Sequence, residues 1–193
     1  MAAAFNRYGG EAEIFVIRNL SAKNMEDSVN EFAKRIEGSQ MIAVPGGFSG
    51  GDEPEGSAKF INAFFRNPKI KDAVENMLYA RDGLMIGICN GFQALIKLGL
   101  VPFGKIVPLS SESPTLTYNT IGRHQSQLAL TKICTNKSPW LMHCKVGEVY
   151  NIPISHGEGR FVASDEVIAK LIENGQIATQ YVDLNGETTM DLA

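Results

Sequence analysis

The chain has 193 residues, of which 44% are hydrophobic and 20% charged, so its composition is that of a globular protein and not of a disordered or fibrous one. A net charge of −3 with scattered Lys and Arg argues against a nucleic acid partner. No apolar run approaches the roughly 20 residues of a membrane helix, and no secretion signal is visible, so we expect a cytoplasmic protein that does not bind membranes. Three cysteines at positions 89, 134 and 144 fit neither a disulfide framework nor a zinc site, and no metal is expected.

The first half alternates short apolar runs with amphipathic stretches. The predicted strands are Glu13–Ile17, Met41–Val44 and Leu84–Ile88, and the predicted helices are Met25–Ile36, Gly56–Phe65, Ile70–Ala80 and Gly91–Leu98. This alternation predicts an α/β fold with a doubly wound, mostly parallel sheet flanked by helices. Ligands of such folds bind at the carboxyl ends of the strands, where the Gly-rich loops 45–51 and 87–91 fall.

The second half has a different character and predicts antiparallel additions to the fold. The predicted strands are Gln127–Cys134, Val149–Ile154 and Gln176–Val182, with a helix at Asp165–Glu173 that Ser164 caps. Asn185-Gly186 is typical of a two-residue hairpin turn.

The segment GICNGFQ, residues 87–93, lies between a predicted buried strand and a predicted helix. A nucleophile elbow needs this arrangement, with small residues such as Gly87 and Gly91 on either side of the nucleophile. The helix N-terminus behind Cys89 would favour the thiolate that attacks carbonyl groups. The alternative is a buried structural cysteine, which is the commoner fate of a free cysteine.

A second loop, PGGFSGGD at residues 45–52, leaves a parallel strand at the same edge of the predicted sheet. Glycine backbone N–H groups suit an oxyanion, because no β-carbon blocks close approach. A flexible surface turn is the alternative. The loop matches neither GxGxxG nor a P-loop, so nucleotide binding here is not expected.

The third candidate is SHGEGR, residues 155–160, directly after a predicted strand. His156 and Glu158 could be the base and orienting carboxylate of a Cys-His-Glu triad. Residues two apart on an extended chain also point the same way, so His156 and Glu158 could instead only line the wall of a site without a catalytic role. Periodicity does not decide between these two interpretations.

These three motifs together resemble the class I glutamine amidotransferase family, and the resemblance covers nearly the whole chain. Within that family the chain is similar to the glutaminase domain of phosphoribosylformylglycinamidine synthase. The segments Gly50–Lys59, Ile121–His124 and Ser155–Val162 favour the long single-chain form of that enzyme. The resemblance implies a flavodoxin-like sheet.

The resemblance also implies the chemistry. Cys89 would attack the side-chain amide of glutamine, ammonia would leave, and water would release glutamate from a thioester. Gly47, Phe48 and the N–H of Asn90 match the oxyanion region of the family. Ammonia would pass to a synthetase domain, absent from these residues, that amidates formylglycinamide ribonucleotide in purine biosynthesis. No cofactor is expected in the glutaminase itself, whereas the synthetase would use ATP and magnesium.

Substrate contacts are implied in the same way. Gly46, Gln93 and the segment His156, Gly157 and Glu158 match positions that hold the α-amino and carboxylate groups of glutamine. In the family the catalytic His-x-Glu lies beyond the position of Asp191, so the resemblance does not make His156 and Glu158 that pair. We therefore expect residues 1–193 to form a single glutaminase domain without the family's first strand and closing His-x-Glu segment.

Three functional hypotheses stay open from the sequence. The first is part of a competent glutaminase, and the second is a truncated or degenerate module that binds glutamine or a partner without turnover. The third is a different elbow-cysteine enzyme, such as a hydrolase or peptidase. A histidine directly after the nucleophile would favour the third, but Asn90 follows Cys89.

Overall fold

The computed structural model describes residues 1–47 and 58–189. The chain divides into two compact units, Met1–Leu109 and Ser110–Ala193, and each has its own secondary structure. Phe48, the rest of the loop after it and the first residues of the predicted helix Gly56–Phe65 lie outside the described residues.

The first unit combines a parallel strand pair with helices. Its described elements are α1 Ala2–Arg7, α2 Ala22–Gly38, β1 Met41–Val44, α3 Lys59–Phe65, α4 Pro68–Glu75 with a π-helical turn over Asn76–Ala80, β2 Leu84–Gly87, α5 Asn90–Leu98 and α6 Leu100–Phe103. The predicted strands at 41 and 84 and the helices between them are thus confirmed, with bounds shifted by a few residues. The short helix α6 was not predicted.

The pairing of β1 with β2 positions the loops that follow both strands. The strands are parallel and in register from Met41 opposite Leu84 to Val44 opposite Gly87. The ladder continues one step further, because the N–H of Ile88 donates to the carbonyl of Val44 at 3.0 Å. The chain after each strand therefore emerges at the same edge of the sheet, as parallel pairing requires.

An aromatic cluster fills the interior of this unit. The ring of Phe32 in α2 lies 5.5 Å from that of Phe64 and 5.7 Å from that of Phe65, both in α3. Helix α4 adds Ile70 and Val74, which are completely buried. Burial of apolar surface on this scale stabilises the helices around the strand pair.

The predicted strand Glu13–Ile17 is wrong. This segment forms no strand, and it lies against α2 instead. Phe15 stacks on Phe32 with ring centroids 5.0 Å apart, and the Arg18 N–H donates to the Ser28 hydroxyl at 2.9 Å. An apolar run indicates that a segment is buried but not which partner buries it, and here a helix face supplies the contact.

The second unit contains antiparallel strands. Its described elements are β3 Thr115–Thr117, β4 Gln125–Ile133, a 3₁₀ turn Pro139–Leu141, β5 Val149–His156, β6 Arg160–Val162, α7 Asp165–Glu173 and β7 Thr179–Tyr181. Strands β5, β4 and β7 form one sheet in that order, and β3 pairs with β6. The parallel pair and these antiparallel sheets confirm the predicted α/β class with antiparallel additions in the second half.

Two features of this unit match the sequence prediction closely. Helix α7 has the predicted bounds, and the Ser164 hydroxyl accepts from the Val167 N–H. The turn at Asn185-Gly186 closes a hairpin in which Val182 bridges Thr188. Strands β3 and β6 are three residues each and were not predicted. None of the described helices is long and apolar enough to cross a membrane.

Candidate functional site

Cys89 lies at a sharp turn between β2 and α5. The chain leaves the parallel strand pair through Ile88, turns at Cys89 and enters α5 at Asn90. The Cys89 backbone has φ 55° and ψ −116°, a conformation that L-residues rarely adopt. Its side chain is exposed. This geometry is that of a nucleophile elbow, which presents a reactive side chain at the end of a sheet.

Backbone hydrogen bonds on both sides hold this turn. The Gly91 N–H donates to the Ile88 carbonyl at 2.9 Å, and the Gln93 N–H donates to the Cys89 carbonyl at 3.0 Å. Together with the bond from Ile88 to Val44, they anchor the elbow to β1 and to the first turn of α5. The sheet and helix thus impose the strained conformation of Cys89.

Gly87 and Gly91 let the helix start directly against the strands. A β-carbon on Gly87 would lie 2.6 Å from the carbonyl carbon of Gly91. One on Gly91 would overlap the Val44 carbonyl oxygen and lie 2.9 Å from the Pro45 carbonyl oxygen. Only residues without a β-carbon fit at these two positions, which is the role that the sequence predicted for them.

The loop after β1 runs directly past the cysteine. A β-carbon on Gly46 would lie 2.8 Å from the Cys89 Cβ and 3.5 Å from its Sγ. Gly47 has φ +130°, and no neighbouring atom lies within 4 Å of the place where its β-carbon would be. The structure therefore brings the predicted loop residue Gly46 next to Cys89, and Gly47 follows it along the chain. The predicted oxyanion residue Phe48 lies outside the described residues.

The first turn of α5 supplies the other predicted residues of this unit. Asn90 and Gln93 are both buried, with 4% and 8% of their surface exposed. The Asn90 N–H belongs to the helix N-terminus directly after Cys89, where the helix dipole favours negative charge. The elbow, the loop and this helix turn make a site that could bind a carbonyl group and stabilise an oxyanion beside a thiol.

The other cysteines have different surroundings. Cys134 follows β4, and its Sγ lies 3.4 Å from the side-chain oxygen of Gln180. Burial raises the pKa of the Cys134 thiol, which disfavours its thiolate. Cys134 and Cys144 are both partly buried, whereas Cys89 is exposed.

His156, Gly157 and Glu158 lie in the second unit, where β5 turns into β6. His156 is the last residue of β5, and its Nδ1 lies 2.9 Å from the side-chain oxygen of Asn119. Its Nε2 lies 3.4 Å from the Tyr181 hydroxyl. Burial, followed by the nearby His124, lowers the pKa of His156, so the neutral ring is favoured at neutral pH.

The hydrogen bonds of His156 bear on the triad interpretation of His156 and Glu158. In a Cys-His-Glu triad the carboxylate bonds one ring nitrogen, and the other ring nitrogen faces the nucleophile. Here the Asn119 amide bonds Nδ1 and the Tyr181 hydroxyl contacts Nε2. Glu158 is half-buried in the turn. These hydrogen bonds favour the interpretation in which His156 and Glu158 only line a wall over the one in which they belong to a triad.

Sequence reasoning missed Asn119, which is 3% exposed and lies between β3 and β4. No periodicity or motif singled it out, because its role depends on a segment almost 40 residues away. A weak signal was available, since buried asparagines are uncommon and Asn119 precedes the turn residue Gly122. In the described part of the chain, no group of three His, Cys, Asp or Glu side chains could hold a metal ion.

In this α/β unit a cysteine lies on a strand–helix elbow beside a Gly-rich loop. This arrangement indicates a class of proteins in which the cysteine is a candidate nucleophile. The sequence profile of the CobB/CobQ-like glutamine amidotransferase domain family matches residues 1–193, and the chain belongs to this family.

Individual relatives carry a more specific name. Phosphoribosylformylglycinamidine synthase subunit PurQ of Symbiobacterium thermophilum is 30% identical over 93% of this chain and 69% of the relative. The subunit of the same name from Chlorobium chlorochromatii is 34% identical over 81% of this chain and 59% of the relative. The chain thus spans about three fifths to two thirds of the length of these relatives.

A solved structure, PurLQS from Thermotoga maritima, is also similar. It matches with a TM-score of 0.53 and 29% identity, over 77% of this chain and 58% of that one.

Proposed function

We propose that this chain is the glutaminase part of phosphoribosylformylglycinamidine synthase, with Cys89 as its nucleophile. The observation that carries the proposal is the exposed Cys89 on a strained elbow, against which Gly46 packs. Family membership and the relatives named PurQ support glutamine as the substrate. The reaction converts glutamine to glutamate and ammonia.

In the first step the Cys89 thiolate forms a bond to the side-chain amide carbon of glutamine. The π electrons of the carbonyl move onto its oxygen, and this oxyanion accepts hydrogen bonds from the Asn90 N–H and the Gly47 region. The oxyanion then re-forms the carbonyl as the carbon–nitrogen bond breaks, and the nitrogen leaves as ammonia with the proton that the general base had removed from the Cys89 thiol. A thioester between Cys89 and the glutamyl group remains.

Water completes the reaction by attacking the thioester carbon, which releases glutamate and regenerates the thiolate. A base must take a proton from that water. We assign this role to the closing His-x-Glu of the family pattern and not to His156, because Asn119 and Tyr181 already bond its ring nitrogens.

We further propose that Gly46, Gln93 and the segment His156–Glu158 hold the α-amino and carboxylate groups of glutamine. Polar contacts to these groups would fix the amide carbon relative to the Cys89 thiolate, and such fixation lowers the barrier to attack. Phe48 stays a predicted oxyanion residue.

The ammonia would pass to a synthetase that uses ATP and magnesium to convert formylglycinamide ribonucleotide to formylglycinamidine ribonucleotide. We assign the chain to the long single-chain form, on the resemblance of the three segments named above. The relatives are separate PurQ subunits, so the mass of the native polypeptide decides this point. A polypeptide the size of a PurQ subunit would overturn the long-form assignment and leave the glutaminase proposal intact.

The decisive test is Cys89→Ser in the complete enzyme. We expect glutamine-dependent synthesis to fall at least about 1,000-fold, because a serine hydroxyl is a far weaker nucleophile than a thiolate. Synthesis with added ammonia should persist, since the synthetase is unchanged. Cys144→Ser is the matched control and should retain both activities.

Two results would contradict the proposal. Retained glutamine-dependent turnover in Cys89→Ser would exclude Cys89 as the nucleophile. Glutamine binding without turnover in the wild-type enzyme would favour the non-catalytic module instead. Peptide mapping after reaction with a diazo-ketone analogue of glutamine gives an independent readout, and we expect the label on Cys89 and not on Cys134 or Cys144.

A further inference from the structure

Asn119 connects two segments of the second unit through a dense set of hydrogen bonds. Its side-chain nitrogen donates to the carbonyl of Arg123 at 3.0 Å and to that of His156 at 2.8 Å. Its side-chain oxygen accepts from the Gly159 N–H at 3.2 Å and lies 2.9 Å from the His156 Nδ1. Its own N–H donates to the Gly157 carbonyl at 2.8 Å. The hydrogen-bonding capacity of this buried amide is thus fully used.

These partners fix the orientation of the amide and the tautomer of His156. The Gly159 N–H can only donate, so the atom that faces it must be the amide oxygen. The same oxygen faces the His156 Nδ1, which must therefore carry the proton. The Nε2 of the neutral ring is left as an acceptor, and the Tyr181 hydroxyl is placed to donate to it.

The backbone on both sides of Glu158 is held by the same residue. Asn119 bonds the carbonyls of His156 and Gly157 and the N–H of Gly159. Gly159 also packs under the imidazole, because a β-carbon there would overlap the His156 ring. The conformation of this turn therefore depends on one asparagine that precedes it by almost 40 residues.

We propose that Asn119 is a positioning residue for glutamine: it sets the conformation of the His156–Gly159 turn and thereby the affinity for the substrate. This inference rests on the proposed function, which gives the turn its ligand. Asn119 acts through the turn, so its loss weakens glutamine binding and leaves the chemistry of ammonia transfer unchanged.

The test replaces Asn119 in the complete enzyme. In Asn119→Asp a carboxylate oxygen faces the carbonyls of Arg123 and His156, and repulsion replaces two hydrogen bonds. Asn119→Ser removes the same donors without adding a charge, so a change common to both variants comes from the lost donors. Asn151→Asp is the matched control, because Asn151 is an exposed residue of β5 and undergoes the same chemical change. Thermal unfolding identifies any variant that fails to fold.

We expect both Asn119 variants to raise the KM for glutamine about 10-fold, the change that corresponds to one lost buried hydrogen bond. The kcat with saturating glutamine and the ammonia-dependent rate should change by less than about 2-fold, and Asn151→Asp should match the wild type. Calorimetric titration of glutamine into Cys89→Ser, with and without Asn119→Ser, should show the same 10-fold loss without turnover.

The outcomes separate the two proposals. An unchanged glutamine KM and Kd in a folded Asn119 variant would overturn the positioning role and leave the glutaminase proposal standing. A fall in kcat and in ammonia-dependent synthesis at unchanged KM would also overturn it. Absence of both glutamine binding and turnover in the wild-type enzyme would overturn the proposed function, and this inference with it.

Discussion

The backbone of Cys89 is strained, and the strain has a cost in free energy. A non-glycine residue at φ 55° and ψ −116° typically destabilises the folded state by about 1 to 3 kcal/mol. The bonds of Ile88, Gly91 and Gln93 to neighbouring carbonyls offset this cost. The strained conformation leaves the thiol exposed at the end of the sheet, where it faces the loop at Gly46.

At the residue scale, a substitution of Gly46 tests whether the geometry of that loop matters for the reactivity of the Cys89 thiol. Gly46→Ala places a β-carbon 2.8 Å from the Cys89 Cβ, closer than such atoms approach in proteins, so the thiol must shift. We expect glutamine-dependent kcat to fall at least about 10-fold, since misplacement by about 1 Å costs up to 100-fold. Steady-state kinetics and the alkylation rate of Cys89 measure the effect.

Gly38→Ala is the control for this substitution. Gly38 ends α2, and its β-carbon would meet no atom within 4 Å. Wild-type kinetics are expected for this variant. If Gly46→Ala also retained wild-type kinetics, the loop would have no part in positioning the thiol.

At the scale of elements, the approach of α5 to β1 depends on a single glycine. Any side chain at Gly91 would overlap the Val44 carbonyl, which belongs to the strand and cannot move without disturbing its ladder. The predicted elbow is thus also a packing contact between a helix and a strand.

Gly91→Ala should therefore destabilise the protein. Overpacking of this kind costs about 1 to 3 kcal/mol, which denaturant unfolding can measure. Gly38→Ala should instead be neutral or stabilise by up to about 1 kcal/mol, because alanine favours the helix. Equal unfolding free energies for the two variants would show that the helix can move away from β1 without cost.

Element predictions succeeded where local chemistry defines an end and failed where a partner does. Ser164 marks the start of α7 through its own hydroxyl, so the sequence predicted this helix with its observed bounds. The run Glu13–Ile17 carries strand-like residues, but it pairs with no strand: Phe15 and Ile17 pack against the helical core, whereas Ile14 and Val16 are exposed. Strands β3 and β6 are too short to show a pattern and exist because they pair with each other.

At the scale of the whole molecule, the pH dependence of stability reflects His156. Its pKa is lowered in the folded state, so the unfolded chain takes up a proton first as the pH falls. The stability that neutral His156 contributes is complete above its ordinary pKa of 6.5 and is lost as the pH falls from there toward the lowered value. The melting temperature should therefore fall between about pH 7 and pH 5.

The carboxylates affect the stability of the folded protein over a different range of pH. Hydrogen bonds from Arg35, Tyr150 and Lys170 lower the pKa values of Glu31, Glu148 and Glu166, whose contributions are lost only below their ordinary value of 4.5. His156→Gln should flatten the dependence of the melting temperature on pH above about pH 5. An unchanged slope in His156→Gln would mean that other groups cause the effect.

The candidate site could be predicted from the sequence to the extent that its parts are contiguous. Gly87, Cys89 and Gly91 lie within five residues, and a strand before and a helix after them suffice to predict an elbow. For Gly46 the sequence predicted only that it lies at the same edge of the sheet as the elbow. The parallel pairing of the two strands then placed it against the Cys89 thiol. Asn119 was not predictable, since its partners are distant in sequence.

By itself the sequence determined the α/β class, most helices, the elbow around Cys89 and the glycines that this elbow needs. These features depend on residues close along the chain, whose periodicity, caps and steric demands are local. Only the tertiary structure decided that Glu13–Ile17 lies on a helix, that Gly46 packs against Cys89 and that Asn119 bonds His156. Each of these is a contact between distant segments, and a local pattern specifies that a group needs a partner without specifying which one.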